Sequence, residues 1–127
     1  MNQQTTNALL MVRPSHFRSN EQTAQDNHFQ NKEMQDPAHL LELAQKEFDD
    51  FVALLRQHGV HVVVVQADPE KDTPDAHFPN NWISTHPDRR IAIYPMKAPN
   101  RREERSEHVL DALESAGFLI EEVYDYS

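Results

Sequence analysis

Asp75, Asn80 and Asn81 lie close together on the stretch Asp-Thr-Pro-Asp-Ala-His-Phe-Pro-Asn-Asn-Trp, running from Asp72 to Trp82 around Phe78. The stretch is too polar for a core strand and too crowded with special residues for an idle linker. Pro74 and Pro79 fix their own φ and push the preceding residues towards extended geometry, so the acid and amide groups sit on a stiff loop. A plain alternative is a proline-rich turn whose Asx side chains cap their own backbone.

The second chemical feature is Arg101-Arg102, which follows Asn100 at the expected start of a helix. Cations in a first turn oppose the helix dipole, each at a cost of about 0.3–1 kcal/mol when exposed. Two explanations stand side by side. Glu104 and Arg105 are spaced for local i,i+3 and i,i+4 pairing with the arginines. Alternatively, helix N–H groups and a guanidinium fork form an anion site shaped for a carboxylate. A substrate with a carboxylate at one end would be held there, and its other end could reach the Asp75–Asn81 loop.

No nucleophile accompanies these groups. The chain has no cysteine, no Gly-x-Ser-x-Gly elbow, and only two glycines, both placed as helix caps. His77 and His86 are near the loop, yet neither has an evident Ser or Thr partner in the sequence. His39, His58 and His61 lack metal-ligand spacing and read as structural. The pattern is that of a substrate-binding half without the reacting half, with no catalytic residue, metal or cofactor expected.

The elements that must position these groups follow from periodicity. Ala8–Arg13 is a short apolar run stopped by Pro14, which predicts a buried strand. Ser15–Gln35 is rich in Asn, Gln, Ser and Thr, which suits either a disordered stretch or, the reading favoured, a functional loop packed by Phe17 and Phe29. Asp36-Pro37 starts a helix with an acid cap, and Leu40, Leu41, Ala44, Phe48, Phe51, Val52 and Leu55 form its apolar stripe. Gly59 ends it, and Val60–Val65 predicts a central strand, with Val62–Val65 apolar on both faces. Trp82–Thr85 and Ile91–Tyr94 flank Pro87-Asp88-Arg89-Arg90 as a hairpin. A second helix is expected from Asn100 to about Ala116, with Glu103 completing a capping box. Gly117 closes it, and Phe118–Val123 reads as a strand.

The two glycines each end an amphipathic helix and launch a strand, 117 − 59 = 58 residues apart. That suggests a repeated strand–helix–strand unit, roughly 8–66 and 80–127, within a single partial domain spanning residues 1–127. A formal net charge of −9 argues against nucleic acid or an anionic membrane as partner. Met1–Asn7 lacks a basic leader and Ala8–Val12 is too short to span a bilayer, so a cytoplasmic protein is expected.

Three segments resemble a known family: Met-Val-Arg-Pro-Ser-His-Phe at 11–17, Asp72 to His86, and Tyr-Pro-Met-Lys-Ala-Pro-Asn-Arg-Arg-Glu-Glu-Arg at 94–105. They are similar to the amidinotransferase-type, guanidine-modifying pentein superfamily, which includes the arginine deiminases, and most of all to its citrulline-utilisation hydrolases. Thr23-Ala24 and Asn27-His28-Phe29-Gln30 resemble its polar N-terminal segment. The resemblance implies an α/β (α+β) fold of ββαβ units from a five-bladed α/β propeller, with about two units in this chain and the rest missing. It implies that Asp75, Asn80 and Asn81 face a guanidino or ureido group beside Phe78, and that Arg101 meets the α-carboxylate. Arginine deiminases and dimethylarginine hydrolases usually carry an acid where Asn81 stands. The amide suits a neutral ureido group, because an unneutralised buried carboxylate is costly. The small-molecule partner expected is therefore an arginine- or citrulline-like amino acid.

The family's catalytic cysteine and histidine lie in later blades, and full-length members are twice this length or more. The expectation is an N-terminal, substrate-binding part that is inactive alone. Arg89 also occupies a turn position where relatives usually carry glycine. The alternative is a non-enzymatic, truncated or degenerate protein that binds an amino acid or a partner chain. Open strand edges make self-association plausible under either reading.

Overall fold

A computed structural model describes residues 5–20 and 36–127. Two small sheets share a helix-covered core, an α+β arrangement. Strand β1 (Ala8–Arg13) pairs in parallel with β2 (His61–Gln66), in a register running from Ala8 opposite His61 to Arg13 opposite Gln66. Parallel strands need a crossover, and helix α1 (Pro37–Gln57) lies within it. The Asp36 side chain accepts from the Ala38 N–H at 3.2 Å and Pro37 takes the first helical position, as the sequence implies. Gly59 follows the helix at φ +83°, a left-handed conformation that needs no Cβ.

The second sheet is ordered β3 (Ile83–Thr85), β4 (Arg90–Ile93), β5 (Glu122–Asp125), with β3 antiparallel and β5 parallel to β4. The hairpin stands where proline and Pro-Asp turn chemistry put it. Arg89 holds φ +65° in that turn, an uncommon state for a residue with a side chain. Its carbonyl accepts from the Glu121 N–H at 2.9 Å and its guanidinium meets Glu121 at 3.0 Å, so the strained residue is what anchors the approach to β5.

One core joins the sheets. Trp82, Ile83, Ile91, Val109 and Leu113 are buried together, with Leu10 of β1, Val65 of β2 and Ile93 of β4 packed against them. A smaller cluster of Val12, Ala67 and Ala76 lies under the polar loop. That loop is therefore fixed from below by apolar contact and from above by its own hydrogen bonds.

Three expectations give way. The second helix is broken in two, α2 (Pro99–Arg102) and α3 (Glu107–Ser115). Ser106, not Asn100, supplies the side-chain cap, accepting from the His108 N–H at 3.1 Å, and Glu103 closes α2 instead of completing a capping box. The last strand starts at Glu122 rather than Phe118, leaving Phe118 and Leu119 exposed. Among the described residues β2 pairs with β1 alone, so it is an edge strand and not a central one; helices α1 and α3 cover it instead of further strands. Phe29, Thr23-Ala24 and Asn27–Gln30 fall outside the described residues. No helix among the described residues is long and apolar enough to cross a membrane.

Candidate functional site

The loop from Thr73 to Trp82 is a chain of tight turns. Ala76 N–H donates to the Thr73 carbonyl at 3.2 Å, Phe78 to Asp75 at 3.0 Å, Asn81 to Phe78 at 3.2 Å and Trp82 to Pro79 at 3.0 Å. Pro79–Asn81 forms a single 3₁₀ turn, and Trp82, 1% exposed, nails its end into the main core. Backbone groups thus satisfy one another and leave the Asx side chains for other partners. This disposes of the plain reading in which those side chains cap their own loop.

Asp75 is buried, and its Oδ2 accepts from Asn20 Nδ2 at 2.8 Å. Asn20 is fully buried and pairs reciprocally with Asn100: Asn20 Nδ2 donates to Asn100 Oδ1 at 3.1 Å, and Asn100 Nδ2 donates back to Asn20 Oδ1 at 2.9 Å. The two amides form a rigid double hydrogen bond, and the carboxylate hangs from it. Nearby, Arg18 forks onto Asp72 at 2.5 and 2.7 Å, tying the segment after β1 to the start of the loop. Asp72 is held below the ordinary carboxylate range mainly by that hydrogen bond.

Arg101 reaches the same loop from α2. Its Nη1 donates to Asn81 Oδ1 at 2.9 Å, and its Nη2 lies 3.3 Å from the Phe78 carbonyl. Since a guanidinium only donates, the Asn81 oxygen must be the atom facing it, and the Asn81 Nδ2 donors point elsewhere. Arg101 also forks onto Glu104, with Nε to Oε2 at 2.9 Å and Nη2 to Oε1 at 3.0 Å. Burial pushes the Glu104 carboxyl above its usual value, against the opposing pull of Arg101.

Of the sequence-derived candidates, Asp75, Phe78 and Asn81 are brought together by Arg101, while Asn80 lies beside Asn81, both exposed, in the same 3₁₀ turn. The dipole argument for Arg101 is corrected. In a helix of only four residues, Arg101 and Arg102 occupy the last turn, where cations are favourable, and there is no long-helix N-terminus to receive an anion. The local i,i+3 pairing with Glu104 is the one the structure shows.

Asn20, Asn100 and His77 went unassigned. The two asparagines have no local signal, their partners lying 55 and 80 residues away. His77 packs against Phe17, with ring centroids 5.4 Å apart, and against Phe78, at 4.1 Å. Its Nδ1 is buried and makes no hydrogen bond. Desolvation lowers its pKa, aided by the Arg101 charge and opposed by Asp75, so the ring is biased towards the neutral form. His86 does have a serine partner: Ser84 Oγ lies 3.0 Å from His86 Nε2 and 2.8 Å from the Tyr94 hydroxyl. Strand pleating placed that serine two residues away on the same face, outside the loop. No group of three or more His, Cys, Asp or Glu residues that could hold a metal occurs among the described residues.

The arrangement can bind and orient a small polar group through one carboxylate, amide donors and a neutral imidazole. With no cysteine in the chain, it presents no thiolate. A family model described as N,N dimethylarginine dimethylhydrolase, eukaryotic, matches residues 13–127. No curated protein and no solved structure matches the chain.

Proposed function

The chain belongs to the N,N-dimethylarginine dimethylhydrolase family, and from that premise we propose that it is the substrate-binding part of a hydrolase acting on a guanidino or ureido C–N bond. The ligand is an arginine- or citrulline-like amino acid, and Asp75, Phe78, Asn80, Asn81 and Arg101 are the residues that receive it. The chain contributes binding and not bond cleavage. A thiolate attacking the guanidino or ureido carbon, as in the cysteine hydrolases it resembles, would come from outside these residues. Its two strand–helix–strand units, roughly 8–66 and 80–127, fit blades of the propeller implied by the resemblance.

One observation carries the choice of ligand. Asn81 commits one of its oxygen's two lone pairs to Arg101 and keeps both N–H groups for a ligand. A guanidinium is itself purely a donor, whereas a ureido group presents a carbonyl oxygen to receive those hydrogens. The neutral, citrulline-like end is therefore the better match. Arg101 is largely neutralised by Glu104, so its share in holding the α-carboxylate is a hydrogen bond from the remaining Nη1 donor more than a bare charge.

Isothermal titration of the purified chain with L-citrulline, L-arginine and Nω,Nω-dimethylarginine tests this. Citrulline is expected to bind at least about tenfold tighter than either cation, a difference of about 1.4 kcal/mol. Tighter binding of arginine or dimethylarginine would refute the ureido assignment. Measurable hydrolysis by the chain alone would refute the assignment to binding only.

A further inference from the structure

We propose that His77 is a specificity-determining residue of this pocket, its Nδ1 accepting a hydrogen bond from the ureido N–H of the ligand once the Phe78 ring turns aside. The proposal rests on the reading of Asp75 and Asn81 as the grip on that group. Three observations lead to it. Among the described residues, His77 Nδ1 is the buried side-chain polar atom without a hydrogen-bond partner. Leaving such an atom unpaired is costly, and native structures keep few of them. It stands in the candidate site, two residues from Asp75, where retained strain is expected when a ligand is to relieve it.

The cover over that atom is asymmetric. Phe17 packs against the imidazole from the segment following β1, and Phe78 packs against it more closely from the same loop. Phe78 is 47% exposed, so its ring can rotate towards solvent on the fast timescale of surface side chains without disturbing the core. The charges facing the imidazole are Asp75 on its own loop and Arg101 on α2. A neutral ring between them can accept at Nδ1. A bound ureido group would then give an N–H to His77 and to Asp75 while its oxygen takes the Asn81 hydrogens. His77, Asp75 and Asn81 each have a partner in that arrangement. A guanidinium meets the Asn81 donors with donors of its own and leaves one side unpaired.

Substitutions separate this role from simple packing. His77→Phe keeps an aromatic ring in the stack and removes both nitrogens. His77→Asn returns a polar atom near the place of Nδ1, and His77→Gln reaches instead towards Nε2. In calorimetric titrations with L-citrulline, His77→Phe is expected to weaken binding by at least about tenfold. Its melting temperature should hold or rise, because an unpaired polar atom has left the interior. His77→Asn should recover affinity to within about threefold of wild type, while His77→Gln should not. His77→Leu, smaller and equally without nitrogen, gives the same comparison should the phenylalanine not be accommodated. Unchanged citrulline affinity in both apolar variants, with wild type binding normally, overturns the role of His77 alone. Loss of affinity only in step with loss of melting temperature overturns it too. A wild-type chain that binds none of citrulline, arginine and dimethylarginine overturns the pocket and the His77 proposal together.

Discussion

Arg101 and Glu104 meet as a fork and a carboxylate, Nε to Oε2 at 2.9 Å and Nη2 to Oε1 at 3.0 Å, with the Glu104 side chain 1% exposed and that of Arg101 11%. The same guanidinium bonds Asn81 and the Phe78 carbonyl, so the ion pair is also the peg on which the polar loop hangs. Removing one partner of a buried pair strands the other's charge. Glu104→Ala should destabilise the chain by about 3 kcal/mol or more, read as a lower urea midpoint. A loss under about 1 kcal/mol would place this pair with surface ion pairs instead.

The Asn20–Asn100 pair orients Asp75 through the Asn20 amide. Asn20→Ala removes that donor from a buried carboxylate and should cost about 1–3 kcal/mol of stability. Asn20→Asp keeps the shape but sets a second carboxylate against Asp75, and should be the worse of the two. Equal stability of Asn20→Asp and wild type in chemical denaturation would contradict the network.

Asn81→Asp exchanges amide hydrogens for a carboxylate oxygen while still accepting from Arg101. The variant should gain affinity for L-arginine and lose it for L-citrulline, each by about tenfold. Parallel titrations with both amino acids check this; equal changes for the two would show that Asn81 does not discriminate charge.

Acid should weaken the fold through His77. Its folded-state pKa is lowered, chiefly by burial, so from about 6.5 downwards the unfolded chain takes up a proton that the folded ring resists. The stabilisation is complete above that value and is lost as pH falls towards the depressed folded one. Asp75 and Arg101 act on the ring in opposite senses and do not reverse the direction. Melting temperatures between pH 7.5 and 5.5 should therefore decline less in His77→Phe than in wild type, a comparison that leaves the carboxylates constant.

Local signals were the readable ones. Asp36-Pro37, Gly59, the Pro-Asp turn and the apolar run at Ala8–Arg13 each act within a few residues, and the elements stand where these residues imply. The break between α2 and α3 was missed because Ser106 outcompetes Asn100 as a cap, and an apolar stripe does not register a four-residue interruption. The shift of the last strand to Glu122 follows from pairing with β4, which no local pattern encodes. In the site, the loop and Arg101 were visible as odd chemistry in sequence, and Glu104 was visible as a spacing. Asn20 was not, because one asparagine in a polar segment looks like any other until its partners are in place.

The reciprocal amide pair spans 80 residues, and the parallel strands beneath it join positions 53 apart. Closing such loops costs entropy before any contact repays it, which makes long-range pairings slow to form. The hydrogen-bonded loop is thus an end product of folding. A chain emerging from the ribosome could not set Arg101 against this loop until Glu104 had been made and folded back. By the same logic, a ligand that binds there would favour the last step of assembly over every partly folded form.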